Sequence, residues 1–497
     1  MFDNTDGVVV FWFISVCLFG CSQQSQFQKL PVMHKEFNVS SVVNLEFQSQ
    51  DQQIDSRSDE FKKIVGTKLF VDKTLLIREI FCYNSLIIAA PRYFGKTLNI
   101  NMIRLFLDKN QNRSEVKRVF QGTKVWSHHN FISKHFCSYP LIFCSFRAIT
   151  EVLCLKTMVN TFRRILLELF YKNFYLNHSN KLNEEQKSTF RRYIKQHRDL
   201  STDEVAKGIR VLANFMCLHY GKKVTILIDD YDDIVLQNVF DQHYKPRTKE
   251  NEQIQITKDI FGFLTNVLAH ILQDSYHIER IIMTGIMNLE VGNKYDVSLK
   301  NVAFMQNNRF GKYFGFTEEE VVELIFKFGL DRDERLELTE WFDGYFSADR
   351  KTKVYNTLSI SEFIMSRIGS GFWTETKPFR TLGILPLLDN PNILDKLVLL
   401  SNKSEITIYM KEAFTVEDVI VLKRTAENWW DEKTNTDLFF QLLVQMGYLT
   451  YSYWDLKRVE DKIALKIPNE EIRKEFVSFL HEYFDLKAIK RPDILEE

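Results

Sequence analysis

Four unbroken apolar runs recur along the chain: "SLIIAAP" (Ser85–Pro91), "YPLIFCSF" (Tyr139–Phe146), "KVTILIDD" (Lys223–Asp230) and "ERIIMTGI" (Glu279–Ile286). None alternates apolar with polar positions, as a strand with one wet face would. Continuous apolar runs of this length mark strands buried on both faces. Between them apolar residues return at helical spacing, in "NINMIRLFLDK" and in the amphipathic stretch from Leu153 to Tyr175. Buried runs alternating with helices predict an α/β domain over residues 61–314, built on a parallel sheet flanked by helices.

From Gly315 the pattern becomes helical, and helical and irregular segments continue to residue 430. "FTEEEVVELIFKFGL" opens with a capping box in which Thr317 accepts from the amide of Glu320, whose side chain reaches back. Phe316 and Val321 are spaced for a hydrophobic staple, and Gly329 suits the helix end. Residues 431–497 read as helix ("TDLFFQLLVQMGYL"), strand ("LTYSYWD"), strand ("KIALKIP") and a helix capped by Asn469. That order predicts a winged-helix-like unit with "LKRVED" at the hairpin turn. The charged stretch His243–Gln255 reads as a solvated excursion.

The N-terminus has its own pattern. "GVVVFWFISVCLFGC" (Gly7–Cys21) is short for a membrane span and fits the apolar stretch of a secretory signal, although two acids and no base precede it. Residues 1–21 are thus expected to be a signal peptide or anchor, and the Gln- and Ser-rich residues 22–60 a flexible leader. A signal implies a secreted or membrane-associated protein; otherwise the chain is cytoplasmic.

Composition narrows the functional classes. With 45% hydrophobic and 26% charged residues the chain is globular, and 497 residues imply several domains. Lys plus Arg equals Asp plus Glu at 65 each, so no global field draws it to nucleic acid or an anionic membrane. Cys82, Cys137, Cys144, Cys154 and Cys217 form no C-x-x-C pair, and Cys144, inside an apolar run, reads as a buried thiol. Zinc-ligand spacings, serine nucleophile elbows and H-E-x-x-H are absent.

The chemistry gathers at the ends of the apolar runs. After the first, Ala90, Pro91, Arg92, Tyr93, Phe94, Gly95, Lys96 and Thr97 approximate G-x-x-x-x-G-K-[ST], with Ala90 in place of the first glycine. A strand leading into a helix there aims backbone amides and the helix dipole at one spot, which suits a phosphate. Lys96 is spaced to reach the β- and γ-phosphates of ATP, and Thr97 to offer its hydroxyl to Mg²⁺. The third run ends in "DDYDD". Asp229 is the candidate metal carboxylate and Asp230 the acid that orients the attacking water. Thr284, ending the fourth run, is a candidate contact to the γ-phosphate or the water. Taken singly, each also fits an ordinary strand end; their co-occurrence is what favours a nucleotide site.

Eight segments in order, "LFVDKTLLIREI", "APRYFGKTLNINMIRLFL", "ILIDDYD", "RIIMTGI", "YFGFTEEEV", "WFDGY", "YNTLSISEFI" and "LKIPNEEIR", resemble the AAA-ATPase-like family. The resemblance implies a P-loop NTPase module of the broad AAA/STAND type, followed by a helical region. Lys96, Thr97 and Asp229 match the family motif, Arg92 keeps the first arginine of PRRFGKS, and Tyr93 replaces the second. Asp72 and Lys73 match its "VDKT". Where the family has LIDE, this chain has Asp230, whose shorter side chain sets the carboxylate roughly 1.5 Å back. Many relatives continue into a PD-(D/E)XK nuclease-like domain, and no strand pair carrying an Asp and, at a variable distance, E-x-K follows here, so nuclease activity is not carried over. The readings left open are a slow Mg²⁺-dependent ATPase coupled to a conformational switch, a nucleotide-binding scaffold acting through an unknown protein partner, and a secreted effector. Direct nucleic-acid binding through the winged-helix-like end is the weakest of them.

Overall fold

The computed structural model describes residues 60–147, 154–240, 250–291, 299–305, 308–347, 351–376, 385–423, 433–452 and 462–487. The N-terminal apolar segment, the leader up to Asp59, most of the charged excursion after β3 and the "LKRVED" turn lie outside the described residues.

The four apolar runs become four parallel strands: β1 (Ser85–Ala89), β2 (Leu141–Ser145), β3 (Val224–Asp229) and β4 (Ile278–Gly285). A fifth, β5 (Lys300–Val302), pairs with β1 at the sheet edge, giving the order β2-β3-β4-β1-β5. β5 escaped the sequence reading because "KNV" is too short and too polar to register as an apolar run. Every residue of β1 and β3 is buried, as continuous apolar strands require. Helices α1 (Lys96–Leu107), α2 (Leu155–Lys172), α3 (Thr202–Tyr220), α4 (Asp233–Phe240) and α5 (Glu250–Leu272) accompany the sheet. Cys144 is buried within β2, and burial pushes its thiol up to about 12.

The order matters more than the count. β4 lies between β1 and β3, so three strands side by side end at one edge, carrying the loop after Ala89, Thr284 and Asp229. Ligands of open parallel sheets bind beyond that carboxyl edge.

The stretch after Gly315 holds α6 (Glu318–Phe328), α7 (Arg332–Phe342) and α8 (Thr357–Ser366). The predicted capping box is present: Glu320 donates its amide to Thr317 Oγ1 at 3.4 Å, and the Thr317 amide donates to Glu320 Oε2 at 2.8 Å. Phe316 and Val321 share a small core with Leu324, Phe342 and Phe363, and Gly329 ends α6 in the left-handed region. The helical expectation missed a small antiparallel sheet, β6 (Phe316–Thr317), β7 (Tyr345–Phe346) and β8 (Lys353–Tyr355), ordered β6-β8-β7. Strands of two or three residues leave no readable period.

Further on come β9 (Ile406–Tyr409), α9 (Val416–Lys423), α10 (Lys433–Met446), β10 (Thr450–Tyr451), β11 (Lys462–Lys466) and α11 (Glu470–Lys487). β10 and β11 pair antiparallel, as the hairpin reading expected, and β9 completes the sheet from before residue 431. Asn469 accepts from the Ile472 amide at 3.1 Å, capping α11. One buried cluster runs from Leu86 and Ile282 in the main sheet to Leu443 in α10 and Phe476 in α11.

Candidate functional site

The loop between β1 and α1 bends through two left-handed residues, Tyr93 (φ 60°) and Gly95 (φ 79°). Glycine carries that conformation freely, whereas tyrosine resists it. Tyr93 is held there from outside. Thr357 donates both its amide (3.1 Å) and its hydroxyl (2.6 Å) to the Tyr93 carbonyl. Next door, the Gly315 amide donates to the Phe94 carbonyl at 3.0 Å. The Phe94 ring is fully buried, edge-on to Phe304 and Tyr345. The side chains of Ala90 and Phe94 therefore serve the core, and what they can offer a phosphate is backbone.

Lys96 opens α1 and is buried. Its ammonium folds back across the loop and donates to the carbonyls of Ala90 (2.8 Å) and Pro91 (2.7 Å). Burial lowers its pKa, while Asp230, Asp229 and Asp232 oppose that shift. An ammonium lying among three carboxylates is the positive centre of the site.

Asp229 ends β3 and accepts from Thr284 Oγ1 of the neighbouring strand β4 at 2.5 Å. Thr97 also hydrogen-bonds the Asp229 carboxylate. Burial, and then the neighbouring Asp230, raise the Asp229 pKa against the pull of those hydroxyls and of Lys96. Asp230 sits in the left-handed region (φ 51°), which Asp tolerates better than most residues. Its carboxylate accepts from Arg147 Nε at 2.8 Å, and Arg147 Nη2 reaches Thr97 Oγ1 at 3.1 Å.

Sequence reasoning missed Arg147. The available signal was its position: it follows the apolar run of β2 at the carboxyl edge of the sheet, where ligand sites form. The sequence alone assigns no role to the rest of "DDYDD", and the structure supplies one. Tyr231 is fully buried, donates its hydroxyl to the Met287 carbonyl (2.7 Å) and accepts from the Leu289 amide (3.0 Å). Asp232 accepts from the amides of Ile286 (2.9 Å) and Met287 (2.5 Å), and burial pushes its carboxyl up to about 7. These two residues pin the exit of β4 and so fix Thr284. Gly285 makes the fit possible: a Cβ there would lie 2.4 Å from Asp232 Oδ1 and 2.6 Å from the Tyr231 ring. Asp233 faces Arg92 of the loop at 3.8 Å.

The "VDKT" residues do not face the loop with these groups. Lys73 donates to Glu320 (2.5 Å) and to the Lys312 carbonyl (2.6 Å), while Asp72 accepts from the amides of Thr74 and Lys124. Lys73 clasps the segment before β1 to the capping box of α6, and Asp72 ties it to Lys124.

The loop, Lys96, Thr97, Asp229, Asp230 and Thr284 thus lie together at the carboxyl edge of the sheet. Thr97 and Asp229 present hard oxygen donors within hydrogen-bond reach of each other, which fits a magnesium ion. Among the described residues no three His, Cys, Asp or Glu side chains converge as a metal cage. Magnesium commonly takes few protein ligands and completes its shell with phosphate and water.

Residues 58–293 match the family model described as "Predicted AAA-ATPase". This part of the chain belongs to the AAA-ATPase-like family. Each converging side chain named above lies inside the AAA-ATPase-like region, whereas Gly315 and Thr357, which hold the loop carbonyls, lie beyond it. The "Uncharacterized protein in vnfD 5'region" of Azotobacter chroococcum mcd 1 is similar, at 22% identity over 263 residues. The match covers 51% of this chain and 42% of that protein, so this chain spans less than half of its length.

Proposed function

We propose that the protein binds ATP with Mg²⁺ at the loop Ala90–Thr97 and hydrolyses it slowly, coupling hydrolysis to a conformational switch. The observation that carries this reading is the convergence of Lys96, Thr97, Asp229 and Thr284 at the mouth of α1 and the carboxyl edge of the sheet. Thr97 and Asp229 would hold the magnesium ion. Once bound, it neutralises charge across the phosphates.

The chain's own residues divide the remaining work. The Lys96 ammonium exchanges the carbonyls of Ala90 and Pro91 for phosphate oxygens, the better partners for a buried cation. Loop amides and the start of α1 cradle the phosphates. Asp230 orients the attacking water and takes its proton, and Thr284 holds Asp229 in place beside the γ-phosphate. Because Thr357 and Gly315 grip the loop carbonyls, a change in loop curvature on nucleotide binding pulls on the helical region that bears them.

A second reading, a nucleotide-binding scaffold with little hydrolysis that acts through a protein partner, is favoured by Asp230. Its side chain is short, and its carboxylate is engaged by Arg147. A winged-helix-like identity for residues 431–497 is part of the proposal, supported by the helix, antiparallel strand pair and helix in that order.

The test is titration with labelled ATP and Mg²⁺ beside Lys96→Ala, followed by phosphate release. Binding lost in the variant, with release from the parent, supports the ATPase; binding without release supports the scaffold. Release restored by Asp230→Glu identifies the shortened acid as the cause. Equal binding by both proteins removes the nucleotide reading.

A further inference from the structure

Arg147 reaches the Thr97 hydroxyl, which the reading above assigns to magnesium. The Thr97 hydroxyl gives its hydrogen to Asp229 and accepts from Arg147 Nη2 at 3.1 Å, while Arg147 Nε stays on Asp230 Oδ2 at 2.8 Å. A magnesium ion on Thr97 needs an oxygen lone pair at about 2.1 Å. The guanidinium occupies one such lone pair and brings a full positive charge to the same oxygen. It cannot shed that charge, because arginine stays protonated throughout the accessible pH range.

Resting on the nucleotide-site reading above, we propose that Arg147 is an internal competitor for the magnesium position. Before nucleotide binds, its guanidinium holds Thr97, one of the two residues that would ligate the ion, and Asp230, the neighbour of the other. Magnesium-bound nucleotide displaces the Nη2 contact, and the Nε contact to Asp230 keeps the side chain at the rim. Its side chain is 58% exposed, so the swing requires no repacking of the core. The device raises the magnesium concentration at which nucleotide is captured.

The experiment follows binding of a fluorescent ATP analogue by the full chain, at fixed nucleotide, as magnesium is titrated. Arg147→Met should lower the magnesium concentration for half-maximal binding about threefold to tenfold, the scale of one charged hydrogen bond discounted for exposure. Binding in EDTA should not improve. Arg147→Lys keeps the charge without the planar fork and should fall between; it also decides the matter if the methionine variant does not fold. An unchanged or higher midpoint in these variants overturns the proposal and leaves the nucleotide site standing. So does equal weakening with and without magnesium, which would make Arg147 a phosphate ligand. If Lys96→Ala binds as well as the parent, both readings fall together.

Discussion

Gly447, just past α10, presses on Pro91 of the loop: a Cβ on the glycine would stand 2.8 Å from the proline Cβ. Gly447 also has φ 88°, so any side chain there is strained before it clashes. Gly447→Ala should cost about 1–3 kcal/mol, combining left-handed strain with overpacking. Denaturant unfolding measures the loss. Nucleotide affinity should fall with it, because the displaced partner is the loop. Gly66→Ala, where nothing lies within 4 Å, should leave affinity unchanged.

Thr284 and Asp229 should behave as one unit. Thr284→Val leaves a buried carboxylate short of a donor, at about 1–3 kcal/mol. Asp229→Asn alone weakens magnesium-dependent binding. The double variant should lose less stability than the sum of the two, and a double-mutant cycle reads that difference. Strict additivity would mean that the 2.5 Å contact carries no energy.

Glu471 is buried at the start of α11, with Ser359 (2.8 Å) and the Trp373 amide (2.7 Å) donating to it. Burial pushes its carboxyl up to about 7 against those bonds. The folded state therefore holds a proton that the unfolded chain has released above about pH 4.5. Stability from this group is present at low pH, falls as pH rises towards 7, and then levels off. At about 1.4 kcal/mol for each pH unit, the drop is about 3 kcal/mol. Glu471→Gln cannot titrate and should flatten this part of the profile, as thermal unfolding from pH 4.5 to 8 would reveal.

Thr357 offers a narrower test. Thr357→Val removes the 2.6 Å hydroxyl bond to the Tyr93 carbonyl but keeps the amide bond to the same oxygen. Stability should drop by only about 0.5–1.5 kcal/mol. The exchange rate of loop amides, followed by hydrogen–deuterium exchange, should rise, and nucleotide affinity should fall.

The fold was legible where burial wrote a simple pattern. Continuous apolar runs marked β1 to β4, and the capping residues Thr317 and Asn469 marked helix starts because local hydrogen bonds set them. Strands such as Lys300–Val302 and Phe316–Thr317 left no pattern, since a partner elsewhere in the chain defines them. The site divides the same way. Lys96 and Thr97 stood out at a helix start, and Asp229, Asp230 and Thr284 at strand ends, where their chemistry is local. Arg147, Tyr231 and Asp232 act through contacts with Thr97, Met287 and Ile286, and no local spacing announces such pairings.

The grip of Thr357 on Tyr93 spans 264 positions of sequence. Contacts that distant close slowly and form late in folding, because a large loop must be ordered before they reward it. On the ribosome, a nascent chain that has already exposed β1 to β4 carries every side chain of the phosphate loop but not the donors that set its curve. The curvature of this loop is therefore set in a late step, when the downstream half of the protein arrives and docks.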